Sequence, residues 1–209
     1  MSSQKLPTGI DVLDRQLNGG LPAGSVVAYR APPDSQGELL LFELTQARDT
    51  LYLTTDRTEQ AVTDTLESTP AADADTRVKY VAGDAPLENA KGMFRDLGEN
   101  SNLIIDPVDI LEGADRTRYR KFLNSLQNHM HNTGSVAVLH CLDGKHPPEQ
   151  RDTTMHMADA VFDLRMQYDG ADVETQLAVP KFRGGNSLSE TVKLELGDQV
   201  RIDTSRDIA

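Results

Sequence analysis

The chain is poor in several kinds of residue. Its 209 residues include no tryptophan, five phenylalanines, five tyrosines and a single cysteine, Cys141. One cysteine excludes intrachain disulfides and zinc clusters built from several thiolates, and the five histidines lack the spacing of a zinc site. No apolar run reaches the roughly 18 to 20 residues that cross a membrane. No apolar stretch after Met1–Lys5 indicates a secretion signal. We therefore expect a cytoplasmic protein that does not contact a membrane.

Positive charge is also scarce. Lysine and arginine number 21 against 33 aspartates and glutamates, which gives a formal net charge of −12, and the acids are spread along the chain. One interpretation is an acidic surface that binds a partner. The other, favoured by the few lysines and the lack of tryptophan, is adaptation to a salt-rich, halophilic cytoplasm. In 1 M salt the Debye length falls to about 3 Å, so the net charge decides nothing about nucleic-acid binding.

Short apolar runs alternate with helical periodicity over the first three quarters of the chain. The runs that predict strands are 25–30, 51–55, 78–82, 103–106 and 136–139. After Ala160 several runs follow one another, joined by turns that contain glycine and aspartate. This order predicts an α/β fold with a mostly parallel central sheet, flanking helices and a C-terminal antiparallel extension. Because no repeat or linker interrupts it, residues 1–209 are predicted to form a single domain.

The loop that follows the first long strand stands where a phosphate-binding loop would stand. It comprises Ala31–Glu38 and leads directly into a predicted helix that begins with Leu39–Leu41. In a P-loop protein this turn is rich in glycine, and its backbone N–H groups surround the phosphates. A lysine reaches the β- and γ-phosphates, and a serine or threonine hydroxyl holds Mg²⁺. Position and length agree with such a loop, but the residue types do not.

Two stretches near the start of the chain carry a family resemblance. Leu6–Asp14 and Gly19–Val27 resemble the entry to KaiC-like and archaeal RadA-like ATPases of the RecA superfamily, in which "TGxxxLDxxLxGGxxxGS" precedes the Walker A strand. Further along, Asn102–Asp106 resembles the Walker B strand, and Lys181–Gly184 resembles the late "KxRG" strand of that family. The resemblance implies a RecA-type P-loop domain that covers most of the chain.

The same resemblance identifies what the loop has lost. Without a gap, Gln36 stands at the second Walker glycine, Gly37 at the lysine and Glu38 at the Mg²⁺-binding hydroxyl. A shift by one residue puts Gly37 at the glycine, Glu38 at the lysine and Leu39 at the hydroxyl. Neither register supplies a cation. Asp34 and Glu38 instead add negative charge, and each like-charge contact at about 4 Å would oppose triphosphate binding by roughly 4 kcal/mol at an effective dielectric of 20.

Other positions that the family uses are only partly preserved. The catalytic acid pair after the second strand corresponds to Asp56 and Arg57, so Asp56 is a vestigial candidate for the base while Arg57 replaces the second carboxylate. Asp106 is a vestigial candidate for a metal ligand, or an acid that caps neighbouring backbone. Lys181 and Arg183 lie on one face of a strand. In the family this face reaches a neighbouring subunit's nucleotide, and the alternative is a solvated edge strand.

We therefore predict a vestigial nucleotide site with no cofactor. Its predicted members are Asp34, Ser35, Gln36, Gly37, Glu38, Lys181 and Arg183. The main hypothesis is a non-catalytic regulatory or adaptor protein of the RecA fold that acts through a protein partner or self-association. One alternative is an ATP- and Mg²⁺-binding switch or weak ATPase that takes its cation from a neighbouring subunit. Another is a DNA-recombination accessory protein, although the loops after Leu139 and Leu164 are not notably basic.

Overall fold

The computed structural model describes residues 4–73, 75–170, 172–185, 188 and 190–202, so both ends of the predicted domain lie outside the described residues. The strands are β1 (Lys5–Leu6), β2 (Leu21–Pro22), β3 (Val26–Ala31), β4 (Thr50–Thr54), β5 (Arg77–Tyr80), β6 (Asn102–Asp106), β7 (Val136–Leu142), β8 (Ala160–Asp169), β9 (Asp172–Phe182), β10 (Val192–Leu196) and β11 (Val200–Ile202). The helices are α1 (Asp11–Gln16), α2 (Glu38–Gln46), α3 (Glu59–Ser68), α4 (Pro86–Phe94), α5 (Asp109–Glu112), α6 (Arg116–Thr133) and α7 (Arg151–Met157).

Nine strands form one sheet in the order β11-β10-β9-β8-β3-β7-β6-β4-β5. The six strands from β8 to β5 in this order pair in parallel, and β9, β10 and β11 extend the sheet in antiparallel pairing. The central strands β4 and β6 are buried along their whole length, which explains their uninterrupted apolar sequences. The predicted α/β architecture with a C-terminal antiparallel extension is confirmed. None of the helices in the described part of the chain combines the length and the apolar character that crossing a bilayer requires.

Two apolar clusters lie on the two faces of the sheet, because successive side chains of a strand point to opposite faces. In β3, Val27 and Tyr29 belong to one cluster, while Val26 and Ala28 belong to the other. Helices α1 to α3 complete the first cluster, and α4 to α7 complete the second. The side chain of Thr58 caps the N-terminus of α3 by accepting a hydrogen bond from the Ala61 N–H.

The C-terminal ends of the parallel strands meet at one edge of the sheet. There β3 runs into the loop before α2, β4 into residues 55–57, and β6 ends at Asp106, while β7 carries His140 in its last residues. Open α/β sheets bind ligands at this edge, outside the carboxyl ends of their strands. The fold therefore brings the loop predicted from the sequence next to residues from three other strands.

Candidate functional site

The loop between β3 and α2 closes on itself through Ser35. The Ser35 hydroxyl donates to the carbonyl of Pro32 over 2.6 Å and accepts the N–H of Gly37 over 3.2 Å. The backbone N–H of Ser35 also donates to the Pro32 carbonyl over 3.1 Å. Two of the N–H groups that a phosphate-binding loop would turn towards its ligand are thus used inside the loop.

Gly37 is packed too closely to carry a side chain. A Cβ atom added there would lie 2.8 Å from Cβ of Ala31 and 2.9 Å from the hydroxyl oxygen of Tyr29. That hydroxyl donates to the Gly37 carbonyl over 2.9 Å, which ties the start of α2 to β3. The position that the ungapped register equates with the lysine therefore has no room for one.

Arg57 joins the loop to the end of β6. One guanidinium nitrogen lies 3.0 Å from Oε2 of Glu38, at the first position of α2, and another lies 3.0 Å from Oδ2 of Asp106. The Arg57 and Glu38 side chains are partly exposed, whereas Asp106 is buried. A cation fixed to the chain thus stands between two carboxylates from different strand ends. The sequence alone indicated only that a carboxylate is missing at Arg57.

Asp106 accepts hydrogen bonds at both carboxylate oxygens. Oδ2 accepts from Arg57 and from the buried hydroxyl of Tyr52, and Oδ1 lies 2.5 Å from Nδ1 of His140. Burial alone would raise the pKa of Asp106, but the hydrogen bonds from His140 and Tyr52 and the charge of Arg57 hold it below its ordinary value. Asp106 is therefore the ionised centre of this network, and both of its carboxylate oxygens have donors. The donors are side chains and not the neighbouring backbone that Asp106 was expected to cap, and its role as a metal ligand stays a prediction.

Glu38 and His140 mark the two ends of this network. Burial and the charge of Asp106 raise the pKa of Glu38, and Arg57 partly offsets them. The His140 ring stacks on Tyr29 with ring centres 5.3 Å apart, and its Nε2 is buried without a hydrogen-bond partner among the described residues. The sequence reasoning missed His140 and Tyr52. Their common signal is a polar or aromatic side chain inside an otherwise aliphatic strand.

The remaining predicted residues of the loop edge lie outside the network. Asp56 is exposed, and its one side-chain contact with the described residues is at 3.5 Å from the hydroxyl of Thr55. Asp34 and Gln36 are exposed at the tip of the loop. Ser35 and Gln36 line two hollows, of about 430 Å³ and 520 Å³, whose other walls include residues of β10 and the turn that follows it. The C-terminal strands thus reach the loop, which the sequence did not indicate.

Lys181 and Arg183 lie at the opposite edge of the sheet from the loop. Lys181 pairs with Val161, near the start of β8, whereas the loop follows the end of the parallel strand β3. The Lys181 ammonium donates to the carbonyls of Met155 and His156 over 2.8 and 2.7 Å. Arg183 donates to the His156 carbonyl over 3.0 Å. Both cations therefore cap the C-terminal end of α7, where the helix dipole favours positive charge, and the fold does not bring them to the loop of their own chain.

Comparison with known proteins agrees with this architecture. The model of a family of unknown function, DUF7125, matches residues 5–209, whereas no curated protein matches in sequence. The KaiC-like protein PH0186 from the hyperthermophilic archaeon Pyrococcus horikoshii OT3 has a similar structure, with a TM-score of 0.77 and 13% identity over 96% of this chain and 99% of that one. The flagellar accessory protein FlaH from Methanocaldococcus jannaschii has a TM-score of 0.78 and 12% identity over 93% and 96% of the two chains. The chain therefore belongs to the DUF7125 family and shares the fold of these KaiC-like and FlaH proteins.

Proposed function

We propose that this chain is a non-catalytic regulatory or adaptor protein of the RecA fold whose nucleotide site is degenerate. The observation that carries the proposal is the bridge from Glu38 through Arg57 to Asp106. In a P-loop enzyme these strand ends hold a metal ion and a triphosphate, and the lysine and the metal supply the positive charge. Here a side chain of the protein supplies that charge permanently.

The bridge makes ligand entry costly. A metal or phosphate that displaced Arg57 would leave Asp106 buried without its cation, and the loss of a hydrogen bond to a charged group costs about 2 kcal/mol. At the same time Arg57 offsets the charge of Glu38. The site therefore repels phosphate less through Glu38 than the sequence predicted, and it resists a ligand mainly through the stability of its own ion pairs.

The residues of the site do not fit a magnesium-bound triphosphate. The loop contains neither lysine nor threonine, and the packing around Gly37 leaves no room for a longer side chain. The N–H groups of Ser35 and Gly37 have acceptors within the loop, and both oxygens of Asp106 already accept hydrogen bonds. We derive no hydrolytic step from this arrangement.

An adaptor role requires a partner, and we propose that this is a protein or a second copy of the chain. The description of FlaH as an accessory protein agrees with an adaptor role for this fold. The alternative, a nucleotide switch completed by Lys181 or Arg183 of a neighbouring copy, would need both side chains to leave the carbonyls of α7. In this proposal residues 1–209 act as one domain.

Calorimetric titration with Mg-ATP and ADP in molar KCl tests the proposal. We expect no binding heat from the wild-type protein, with circular dichroism as the check that it is folded. The matched variants are Lys181→Ala and the exposed-site control Arg95→Ala. Micromolar binding by the wild type would refute the degenerate site. Loss of that binding in Lys181→Ala but not in Arg95→Ala would establish the neighbour-completed switch instead.

A further inference from the structure

The first half of α6 carries a dense group of positive charges. Four of the six residues from 116 to 121 are cations, in a chain where 21 cations face 33 acids. All four are exposed, and we call them the α6 basic ridge: Arg116, Arg118, Arg120 and Lys121. The intervening Tyr119 is fully buried and holds this part of the helix against the sheet. The ridge is therefore a fixed surface of the fold.

The position of the ridge weakens the helix. Each of the other six described helices has an acid in its first turn, whereas α6 has none there. Its only local compensation is the N-cap Asp115, which accepts the N–H groups of Thr117 and Arg118. Cations near a helix N-terminus oppose the helix dipole. The pairs Arg116–Arg120 and Arg118–Lys121 also place like charges four and three residues apart, a destabilising spacing. Folding therefore does not account for the ridge.

The ridge is also little used by ion pairs within the chain. Arg118 lies 2.7 Å from Glu88, and both side chains of this pair are more than half exposed. Within the described residues, Arg116, Arg120 and Lys121 take part in no ion pair. Exposed pairs such as Arg118–Glu88 contribute little to stability and exchange readily. Most of the charge of the ridge is therefore available to a partner.

A shallow hollow lies on each side of the ridge. The hollow between α4 and α6 measures about 210 Å³ and is lined by Leu87, Glu88, Lys91, Arg118, Lys121 and Phe122. The hollow between α6 and α7 measures about 310 Å³ and is lined by Arg116, Arg120, Asp152, Thr153, His156 and Met157. Each hollow thus combines cations with apolar side chains.

We propose that the α6 basic ridge docks an acidic segment of a partner protein, one that carries apolar side chains between its carboxylates. Charge complementarity favours an acidic partner segment. Because the rest of the chain is rich in acids, this segment would bind at the local cationic surface. The apolar residues that line the α4–α6 hollow, Leu87 and Phe122, favour a polypeptide over a phosphate backbone. This inference rests on the proposed adaptor role and identifies the α6 basic ridge as the surface that binds the partner.

Fluorescence anisotropy with defined probes tests the ridge. The first probe is a labelled peptide of about twelve residues that alternates glutamate with leucine, as amphipathic recognition segments do. The second is a polyglutamate peptide of equal length, and the third is an oligothymidine of equal charge. At 0.15 M KCl, where the Debye length is about 8 Å, we expect the first probe to bind most tightly. The triple variant Arg116→Glu, Arg120→Glu, Lys121→Glu should bind it about tenfold or more weakly.

The control reverses the same number of exposed cations elsewhere, as Lys79→Glu, Arg95→Glu, Lys145→Glu, and should change the affinity less than about twofold. Equal losses in both variants would overturn the proposal, because net charge would then explain the binding. Tighter binding of oligothymidine than of the peptide would overturn it in favour of nucleic acid. A ridge-dependent dimer in sedimentation without peptide binding would overturn it in favour of a second copy. If the peptide fails to bind the ridge while calorimetry still detects no binding of Mg-ATP, the docking proposal is wrong and the proposal of a degenerate nucleotide site stands. The two proposals can therefore be refuted independently.

Discussion

Two clusters of buried charge lie at the same edge of the sheet but on opposite faces. The Arg57 cluster contacts the apolar layer that contains Tyr29 and Tyr52. The other cluster, around Arg151, contacts the layer that contains Tyr119 and Cys141. Both place an arginine between two carboxylates, which are Glu38 at the start of α2 and Asp106 at the end of β6 in the first cluster. In the second cluster they are Asp109 and Glu112, both on α5. The two clusters differ in how far they are closed to solvent, and this difference separates a structural ion pair from a candidate site.

The Arg151 cluster is closed. Arg151 contacts Glu112 and Asp109 over 2.8 and 2.9 Å and donates to the Leu142 carbonyl over 2.7 Å. Glu112 is fully buried and also accepts from the hydroxyl of Thr154. Burial raises the pKa of Glu112, which Thr154 and Arg151 only partly counteract. This cluster ties α5 and α7 to the end of β7.

The Arg57 cluster is open on one side. Its inner member Asp106 is 3% exposed, whereas the side chains of Arg57 and Glu38 are 32% and 39% exposed. The exposed half includes Glu38, the first residue of α2, which directly follows the loop from β3. The same arginine–carboxylate chemistry thus builds a closed core at Arg151 and a partly exposed bridge at Arg57, the bridge that we propose takes the place of a ligand.

The largest expected effect is the loss of the closed cluster. Arg151→Ala leaves Glu112 buried without its cation, so we expect the free energy of unfolding to fall by about 3–5 kcal/mol. Urea denaturation of the variant, with the exposed Arg95→Ala as control, measures this fall. A loss of less than about 1 kcal/mol would mean that Glu112 takes up a proton without consequence, and the distinction between closed and open clusters would then be wrong.

Asp106→Asn tests the inner half of the open cluster. The amide keeps the shape but loses a charge that three donors stabilise, so we expect a fall of about 3 kcal/mol at neutral pH. The folded-state pKa of Asp106 is depressed. Its stabilisation is therefore present above the unfolded pKa of about 3.9 and is lost as the pH falls through the folded pKa.

The pH dependence of unfolding separates this charge effect from a packing effect. Below about pH 4 the wild type should lose stability more steeply than Asp106→Asn, because only the wild type has this carboxylate to protonate. Chemical denaturation at a series of pH values measures both slopes. Parallel curves for the two proteins would show that Asp106 does not supply the charge that holds the cluster.

Much of the fold followed from local patterns, whereas the site did not. The strand at β6 and the cap at Thr58 are written in a few adjacent residues, so the sequence predicts them directly. Arg57 meets Glu38 and Asp106 across 19 and 49 positions of the chain, so their contact depends on the order of the strands. The sequence likewise predicted that Lys181 lies on one face of a strand. Its acceptors at the end of α7 depend on how this helix packs against the strand, which no local pattern encodes.

Arg57→Ala should have a smaller effect on stability but a distinct effect on binding. Arg57 is partly exposed, so we expect a loss of about 2 kcal/mol, within the range for hydrogen bonds to charged groups. The variant leaves Glu38 and Asp106 as carboxylates without a cation between them, and oxygen ligands of this kind favour Mg²⁺.

The measurement for Arg57→Ala is thermal unfolding with and without millimolar MgCl₂ in high KCl. We expect Mg²⁺ to raise the melting temperature of the variant and to leave the wild type unchanged, because a ligand that binds only the folded state stabilises it. Arg95→Ala serves as the charge-matched control. An equal response of all three proteins would show that Arg57 does not take the place of a bound cation.

The smallest expected effect concerns the two cations at the other edge of the sheet. The double variant Lys181→Ala, Arg183→Ala removes donors to the last carbonyls of α7, and each cation at a helix C-terminus is worth about 0.3–1 kcal/mol. We therefore expect a loss of about 1 kcal/mol, with faster amide exchange confined to the end of α7. Exchange in residues 31–38 should not change. If exchange at the loop did rise with that at α7, the two edges of the sheet would be coupled, and the separate roles of the cap and the Arg57 cluster would have to be abandoned.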